Sequence, residues 1–132
     1  MGRQVFAAEG VTAYLVNKSA PTPLVMFYVM KHEMPYGMMI TASHNPAIYN
    51  GIKVFTEGGR DASAQQTDEI EKYIARIEHE EVKSMEYDKA LEAGLIQEIY
   101  PLNEYLDNII DNIDMQAIRN SSSKSPLTPC TA

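Results

Sequence analysis

A hydroxyl nucleophile, an imidazole, a carboxamide and a proline stand side by side in residues 41–46 (TASHNP). The segment directly follows an apolar run, residues 38–40 (MMI), so it lies where a strand is expected to end. Such loops carry much of the chemistry of α/β proteins, because the sheet fixes the loop while the loop stays open to ligand. A serine held there can accept a phosphoryl group and pass it on, if a cation and a proton acceptor lie close by.

Ser43 is the candidate phosphoryl carrier, with His44 and Lys53 as its candidate helpers. His44 can donate to phosphate oxygens or take up a hydroxyl proton near neutral pH. Lys53 follows Ser43 by ten residues, on a segment expected to return beside it, where its ammonium would offset phosphate charge. His32 has no such setting and is expected at a solvated helix position. The residues expected to shape the loop are Asn45, Pro46, Asn50 and Gly51.

The loop resembles a known motif. TASHNP followed by YNGIK (residues 49–53) is similar to the active-site serine loop of the α-D-phosphohexomutases, the family of phosphoglucomutase and phosphomannomutase. The similarity extends to PTP at residues 21–23 and to a Glu-Gly-Gly turn at 57–59, and covers roughly residues 5 to 120. It implies that phospho-Ser43 donates to one hydroxyl of a hexose monophosphate, that the resulting bisphosphate reorients, and that its other phosphate returns to the serine. It also implies that Lys53 is the active-site lysine.

The resemblance carries expectations about cofactors and substrates. A phosphoserine adds close to two negative charges at neutral pH, so Mg²⁺ is expected to offset them. Ser43 is the one metal ligand expected from this chain, through its phosphate; the family's three carboxylates come from a loop that these residues lack. Glucose 1,6-bisphosphate is the expected activator and hexose phosphates are the expected ligands. Phosphoglucosamine mutases more often show serine where Thr41 stands, which favours glucose or mannose phosphates.

Bulk properties exclude several classes of protein. A length of 132 residues suits one domain, and 45% hydrophobic with 22% charged residues is ordinary for a soluble protein. No apolar run approaches a membrane span, and a net charge of −7 argues against a nucleic-acid partner. The single cysteine, Cys130, cannot form an internal disulfide, so the cytoplasm is the expected compartment.

Strand and helix signals alternate along the first part of the chain. A helix over residues 4–9 is closed by Gly10, and a strand follows over 11–16. Thr22 is predicted as the N-cap of a well-buried helix over 23–32, with Pro23 at its first position. Residues 36–42 are predicted to form a parallel strand covered on both faces, because they are nearly all apolar. The loop over residues 43–50 then leads to a short strand over 52–55.

The second half is predicted to be mainly helical. Residues 63–66 (SAQQ) match a capping box, and the helix behind it carries an apolar stripe expected to pack against the sheet. A weaker element over 87–93 ends at Gly94, and 95–100 is a strand or an extended connector. A last helix begins at Leu102 and repeats apolar residues at helical spacing to Ile113. The members of the first stripe are Ile70, Tyr73, Ile74 and Ile77.

These elements predict an α/β fold in which a mixed or parallel sheet is flanked by helices. The resemblance implies an incomplete first domain of a phosphohexomutase. Residues 1–100 would be that partial domain, with the serine loop at 41–46. Residues 101–120 would be a helix leading toward a second domain, and 121–132 a disordered tail. Such a chain is expected to be inactive alone and to self-associate, through an unpaired sheet edge and exposed apolar surface.

Two other functional classes are compatible with parts of this pattern. The chain could be a phosphosugar-binding or assembly module without catalysis, which a second basic cluster would favour; the sequence contains none. It could also be part of a serine hydrolase. That class needs a G-x-S-x-G elbow and an acid placed to orient His44, and neither is present.

Overall fold

A computed structural model describes residues 2–46, 48–78 and 82–121. Within those ranges the chain forms helices and strands in an α/β arrangement, as the sequence predicted. The predicted disordered tail lies, from residue 122 onward, outside the described residues. The elements in chain order are α1 (Gly2–Ala8), β1 (Ala13–Val16), α2 (Thr22–Lys31), β2 (Tyr36–Thr41), β3 (Gly51–Thr56), β4 (Arg60–Asp61), α3 (Ala64–Ile74), α4 (Tyr87–Glu92), β5 (Ile96–Ile99), α5 (Leu102–Asp111) and α6 (Met115–Asn120).

Strands β1 and β5 form a two-stranded parallel sheet. Their pairing runs from Ala13 opposite Ile96 to Val16 opposite Ile99. Parallel neighbours need a long crossover, and here the whole second sheet lies between them in sequence. Helices α1 and α4 pack beside this pair. Their small buried residues Ala7 and Ala90 form a core with Ile96, because alanine lets helix and strand backbones approach closely.

The other sheet is antiparallel, in the order β2-β3-β4. The prediction of a parallel β2 covered on both faces is wrong. Strand β2 runs from Tyr36 opposite Thr56 to Thr41 opposite Gly51, and its exposed and half-buried residues alternate. On the outer face Tyr36 is 68% exposed and Ile40 is 70% exposed. An apolar run indicates a strand but does not reveal which partner it pairs with or how many faces are covered.

Helix α2 covers the inner face of this sheet. Its buried side chains are Leu24, Phe27 and Val29, as its apolar sequence predicted. Gly37 of β2 makes room for this packing, because a Cβ there would collide with the Val29 side chain. The predicted cap is shifted by one residue: Pro21 is the N-cap and Thr22 is already helical.

Helix α3 begins where the sequence predicted, but its packing differs from the prediction. The Ser63 hydroxyl accepts from the Gln66 amide at 3.3 Å, and the Gln66 side chain accepts from the Ser63 amide at 2.9 Å, so the capping box is present. The prediction that the apolar stripe packs against the sheet is wrong. Tyr73 and Ile74 are more than half exposed, and no residue of α3 is buried. An amphipathic pattern indicates which side of a helix is apolar, without supplying the surface that covers it.

The C-terminal helical segment consists of two helices with a break between them. Helix α5 ends at Asp111, and α6 begins after Asp114, whose carboxylate accepts from the Gln116 and Ala117 amides at 3.0 and 2.8 Å. Tyr105 packs against Phe27 of α2, with 5.6 Å between ring centroids. Among residues 2–46, 48–78 and 82–121, none of these helices has the length and apolar character needed to cross a bilayer.

Candidate active site

The β2–β3 hairpin brings the candidate residues together. Thr41 lies opposite Gly51 and Met39 opposite Lys53, so Thr41 and Lys53 are diagonal neighbours. Because side chains alternate along a strand, both project from the inner face of the sheet, and diagonal neighbours are roughly 7–8 Å apart. An open pocket of about 290 Å³ lies at this end of the hairpin. It is lined by Thr41, Ala42, Ser43, Asn45, Tyr49, Asn50, Gly51, Ile52 and Lys53.

Ser43 occupies a tight turn with an uncommon backbone conformation. The Asn45 amide donates to the Ala42 carbonyl at 3.0 Å, which closes a four-residue turn with Ser43 and His44 at its centre. Ser43 has a φ of 56°, whereas His44 does not have a positive φ. Glycine is the usual residue where a tight turn requires a positive φ. A serine in this conformation is strained, and strained residues concentrate at functional sites.

Among the described residues, two side chains lie within hydrogen-bonding distance of Ser43. The Ser43 backbone N–H donates to Thr41 Oγ1 at 3.0 Å. The Ser43 Oγ lies 3.2 Å from Nδ1 of His44, within hydrogen-bonding distance. The hydroxyl is therefore next to an imidazole that can exchange a proton with it. His44 is not among the residues that line the pocket.

Lys53 is the cation of the pocket. Within the described ranges it forms no ion pair; the carboxylate that is paired there is Glu104, with Lys31 and His32. None of the described residues that line the pocket is acidic. The ammonium of Lys53 is thus available to a bound anion, although the chain as a whole is acidic.

The same residues do not form a magnesium site by themselves. No group of three His, Cys, Asp or Glu side chains that could hold a metal ion occurs in the described part of the chain. Mg²⁺ prefers several oxygen ligands, usually carboxylates, water and phosphate oxygens. Ser43 could contribute a phosphate oxygen once it is phosphorylated. Its predicted role as a metal ligand stays a prediction.

Of the residues expected to shape the loop, Asn50 acts on the backbone as predicted, whereas Gly51 does not have the positive φ for which a loop glycine is usually needed and instead begins β3. Asn50 Oδ1 accepts from the Gly51 amide at 3.2 Å, and the Pro46 carbonyl accepts from the Tyr49 amide at 2.9 Å. The sequence reasoning missed the contact made by Thr41. The signal was present, since a threonine side chain can accept the backbone N–H two residues further along the chain.

Comparison with known proteins places this site in a family. The domain described as "Phosphoglucomutase/phosphomannomutase, alpha/beta/alpha domain I" matches residues 3–81. A probable phosphoglucosamine mutase of Pyrococcus furiosus is 34% identical over 97 residues, which are 74% of this chain and 20% of that protein. A phosphoglucomutase of Staphylococcus saprophyticus is 39% identical over 74 residues, 56% of this chain and 13% of that protein. A phosphoglucosamine/phosphogalactosamine mutase of Sulfurisphaera tokodaii is 30% identical over 113 residues, 86% of this chain and 24% of that protein.

The matched domain covers more than half of the chain and includes the serine loop and the whole β2–β3 hairpin. The chain therefore belongs to the phosphoglucomutase/phosphomannomutase family, which confirms the resemblance read from its sequence. It spans about a fifth of the length of the Pyrococcus furiosus relative. The names of the relatives cover mutases of glucose phosphate and of amino-sugar phosphates.

Proposed function

We propose that this chain is part of a phosphohexomutase that interconverts hexose 1-phosphate and hexose 6-phosphate through a phosphoserine at Ser43. The observation that carries the proposal is the shared pocket of Ser43 and Lys53, with His44 Nδ1 3.2 Å from the serine hydroxyl. The pairing of β2 with β3 brings these residues together, and membership of the family supports phosphoryl transfer as their reaction.

In the first transfer, a sugar hydroxyl oxygen attacks the phosphorus held on Ser43. The bond from phosphorus to Ser43 Oγ breaks as the bond to the sugar oxygen forms. The sugar hydroxyl gives up its proton to water, and Ser43 Oγ gains a proton. His44 is placed to deliver that proton and to remove it again in the return step, because its Nδ1 lies beside Oγ. The Lys53 ammonium stabilises the charge on the transferring oxygens.

Mg²⁺ and glucose 1,6-bisphosphate belong to the proposal as cofactor and activator. Mg²⁺ would offset the charge of the phosphoserine, and the activator would phosphorylate the serine. The described residues contain no group of three His, Cys, Asp or Glu that could hold the ion, so we expect its carboxylate ligands to come from elsewhere in a full-length enzyme. The single cysteine, Cys130, favours the cytoplasm as the compartment.

Glucose and mannose phosphates are the proposed substrates, on the basis of Thr41. Relatives named for amino-sugar phosphates make glucosamine phosphate the natural competitor in any assay. Comparing kcat/KM for the three sugar 1-phosphates decides between them, since specificity is a ratio of these constants.

The experiment that tests the proposal is a map of phosphate on the full-length protein after incubation with glucose 1,6-bisphosphate and Mg²⁺. The added phosphate should lie on the peptide that contains Ser43, and Ser43→Ala should abolish both the phosphate and the turnover. Ser84→Ala is the matched control, because Ser84 is exposed and lies outside the pocket. Phosphate found elsewhere, or binding of hexose phosphate without any phosphoserine, would instead favour a non-catalytic phosphosugar-binding or assembly module.

A further inference from the structure

Thr41 contributes a contact that the proposed reaction does not yet use. Its Oγ1 accepts a hydrogen bond from the backbone N–H of Ser43 at 3.0 Å. The acceptor belongs to the last residue of β2, whose backbone is fixed by pairing with Gly51. The donor belongs to the serine with the strained, positive φ. One side chain thus connects the rigid sheet to the strained residue of the turn.

We propose that Thr41 is a positioning residue that holds Ser43 in its left-handed conformation and so aims the hydroxyl at His44. The inference rests on the proposed function of Ser43 and adds to it the group that determines the serine's geometry. A single turn bond, from the Asn45 amide to the Ala42 carbonyl, spans Ser43 without touching its own N–H. The Thr41 hydroxyl is therefore the group that satisfies this N–H.

The chemistry of the side chain limits which residues can take this position. The contact needs a side-chain oxygen that reaches the N–H two residues ahead, as the oxygens of Ser, Thr, Asn and Asp can. Serine retains that oxygen. Valine has the shape of threonine and its preference for strands, and lacks the acceptor. Thr41→Ser and Thr41→Val are therefore a matched pair that differ in the hydrogen bond.

The first measurement uses this 132-residue chain without substrate. In NMR spectra, a residue with positive φ has a short distance between its own amide and α protons and hence a strong NOE between them. This NOE at Ser43 should be strong in the parent chain and in Thr41→Ser, and weak in Thr41→Val. Thr56→Val controls for loss of a hydroxyl at the opposite end of the same hairpin, and should leave the Ser43 signals unchanged. Should Thr41→Val fail to fold, Thr41→Ala removes the same acceptor without adding an apolar methyl group.

The second measurement uses the full-length enzyme and glucose 1,6-bisphosphate. Thr41→Val should lower the rate of Ser43 phosphorylation and kcat by roughly 3- to 10-fold, the effect of losing one ordinary hydrogen bond. KM should change little, and Thr41→Ser should stay close to the parent. If Thr41 acted only in folding, both variants would have a lower yield or stability, and kcat would not differ between Thr41→Val and Thr41→Ser.

The NMR comparison tests whether Thr41 holds the conformation of Ser43, and phosphate uptake by the parent enzyme tests the proposed function. If the parent enzyme takes up no phosphate at Ser43, the proposed function fails, and the NMR comparison still decides whether Thr41 holds the turn. If Thr41→Val keeps the strong NOE at Ser43, Thr41 does not hold the conformation. If the NOE is lost while phosphorylation proceeds at the parent rate, the conformation is not needed for transfer. Either of the last two results overturns the inference.

Discussion

Glycine at position 43 should stabilise the protein relative to alanine at the same position. Ser43 has a φ of 56°, a region that L side chains with a Cβ adopt at a cost. Ser43→Ala and Ser43→Gly both remove the hydroxyl and its contact with His44, so those losses cancel when the two variants are compared. The remaining difference reports the backbone strain at the proposed nucleophile.

The magnitude follows from two opposing effects. A left-handed conformation costs a residue with a Cβ about 1–2 kcal/mol, and glycine is free of that cost. Glycine also gains more freedom in the unfolded chain, which lowers stability by about 0.5–1 kcal/mol relative to alanine. Taking the midpoint of each range, Ser43→Gly should be more stable than Ser43→Ala by about 0.75 kcal/mol. For a domain of this size that corresponds to a rise in Tm of about 2–4 °C.

The assay is thermal or urea unfolding of the 132-residue chain, with two controls from the same structure. Glu33 also has a positive φ, of 50°, so Glu33→Gly should be more stable than Glu33→Ala. Ser84 has no positive φ, and there the order should reverse, with glycine less stable than alanine. If Ser43→Gly is less stable than Ser43→Ala, as is expected for the same two substitutions at Ser84, the turn is not strained and the geometry described for Ser43 is incorrect.

Three further results are expected. In the full-length enzyme, Lys53→Ala should lower turnover by roughly 10²–10³ with little loss of folding stability, because it removes a charge that stabilises the transferring group; near-normal turnover would make Lys53 an ordinary surface lysine. The hydrogen bond from His32, together with Lys31, holds the pKa of Glu104 below its ordinary value of 4.5. The lowered pKa stabilises the fold in full above the ordinary value of 4.5, and this contribution is lost as pH falls from there through the folded-state pKa. Glu104→Gln should therefore cost about 0.2–1 kcal/mol at pH 7 and nothing near pH 2, as unfolding at the two pH values will test. The isolated chain should show no mutase activity in a coupled assay and should run as a dimer or larger species in light scattering, because the outer face of β2 is apolar and uncovered; Ile40→Lys should shift it toward the monomer.

The sequence predicted local features that depend on neighbouring residues. The capping box at Ser63, the glycine that ends α4 and the polar loop after β2 are all where the sequence placed them. Each is a short-range pattern in which side-chain chemistry determines backbone geometry within a few residues. The candidate site belongs to this group, because its residues lie within one hairpin. Pairing of adjacent strands is then enough to bring Ser43 and Lys53 to one pocket.

Features that depend on distant surfaces could not be predicted in this way. The apolar run of β2 could not reveal that Tyr36 and Ile40 lie on an exposed face, and the stripe of α3 could not reveal that Tyr73 is 67% exposed. In both cases the pattern reports a tendency, whereas burial depends on which other surface is present. The positive φ of Ser43 was also missed, because serine rarely adopts it and its cause is a contact made by Thr41.

The most direct test of the proposed reaction is a single-turnover experiment on full-length enzyme phosphorylated at Ser43. When this enzyme is mixed with excess glucose 1-phosphate and Mg²⁺, Ser43 should lose its phosphate as an equal amount of glucose 1,6-bisphosphate appears. A rapid-quench time course with intact-mass and sugar analysis measures both quantities together. If bisphosphate forms while the phosphate stays on Ser43, or if Ser43→Ala forms product at the parent rate, Ser43 is not the phosphoryl carrier.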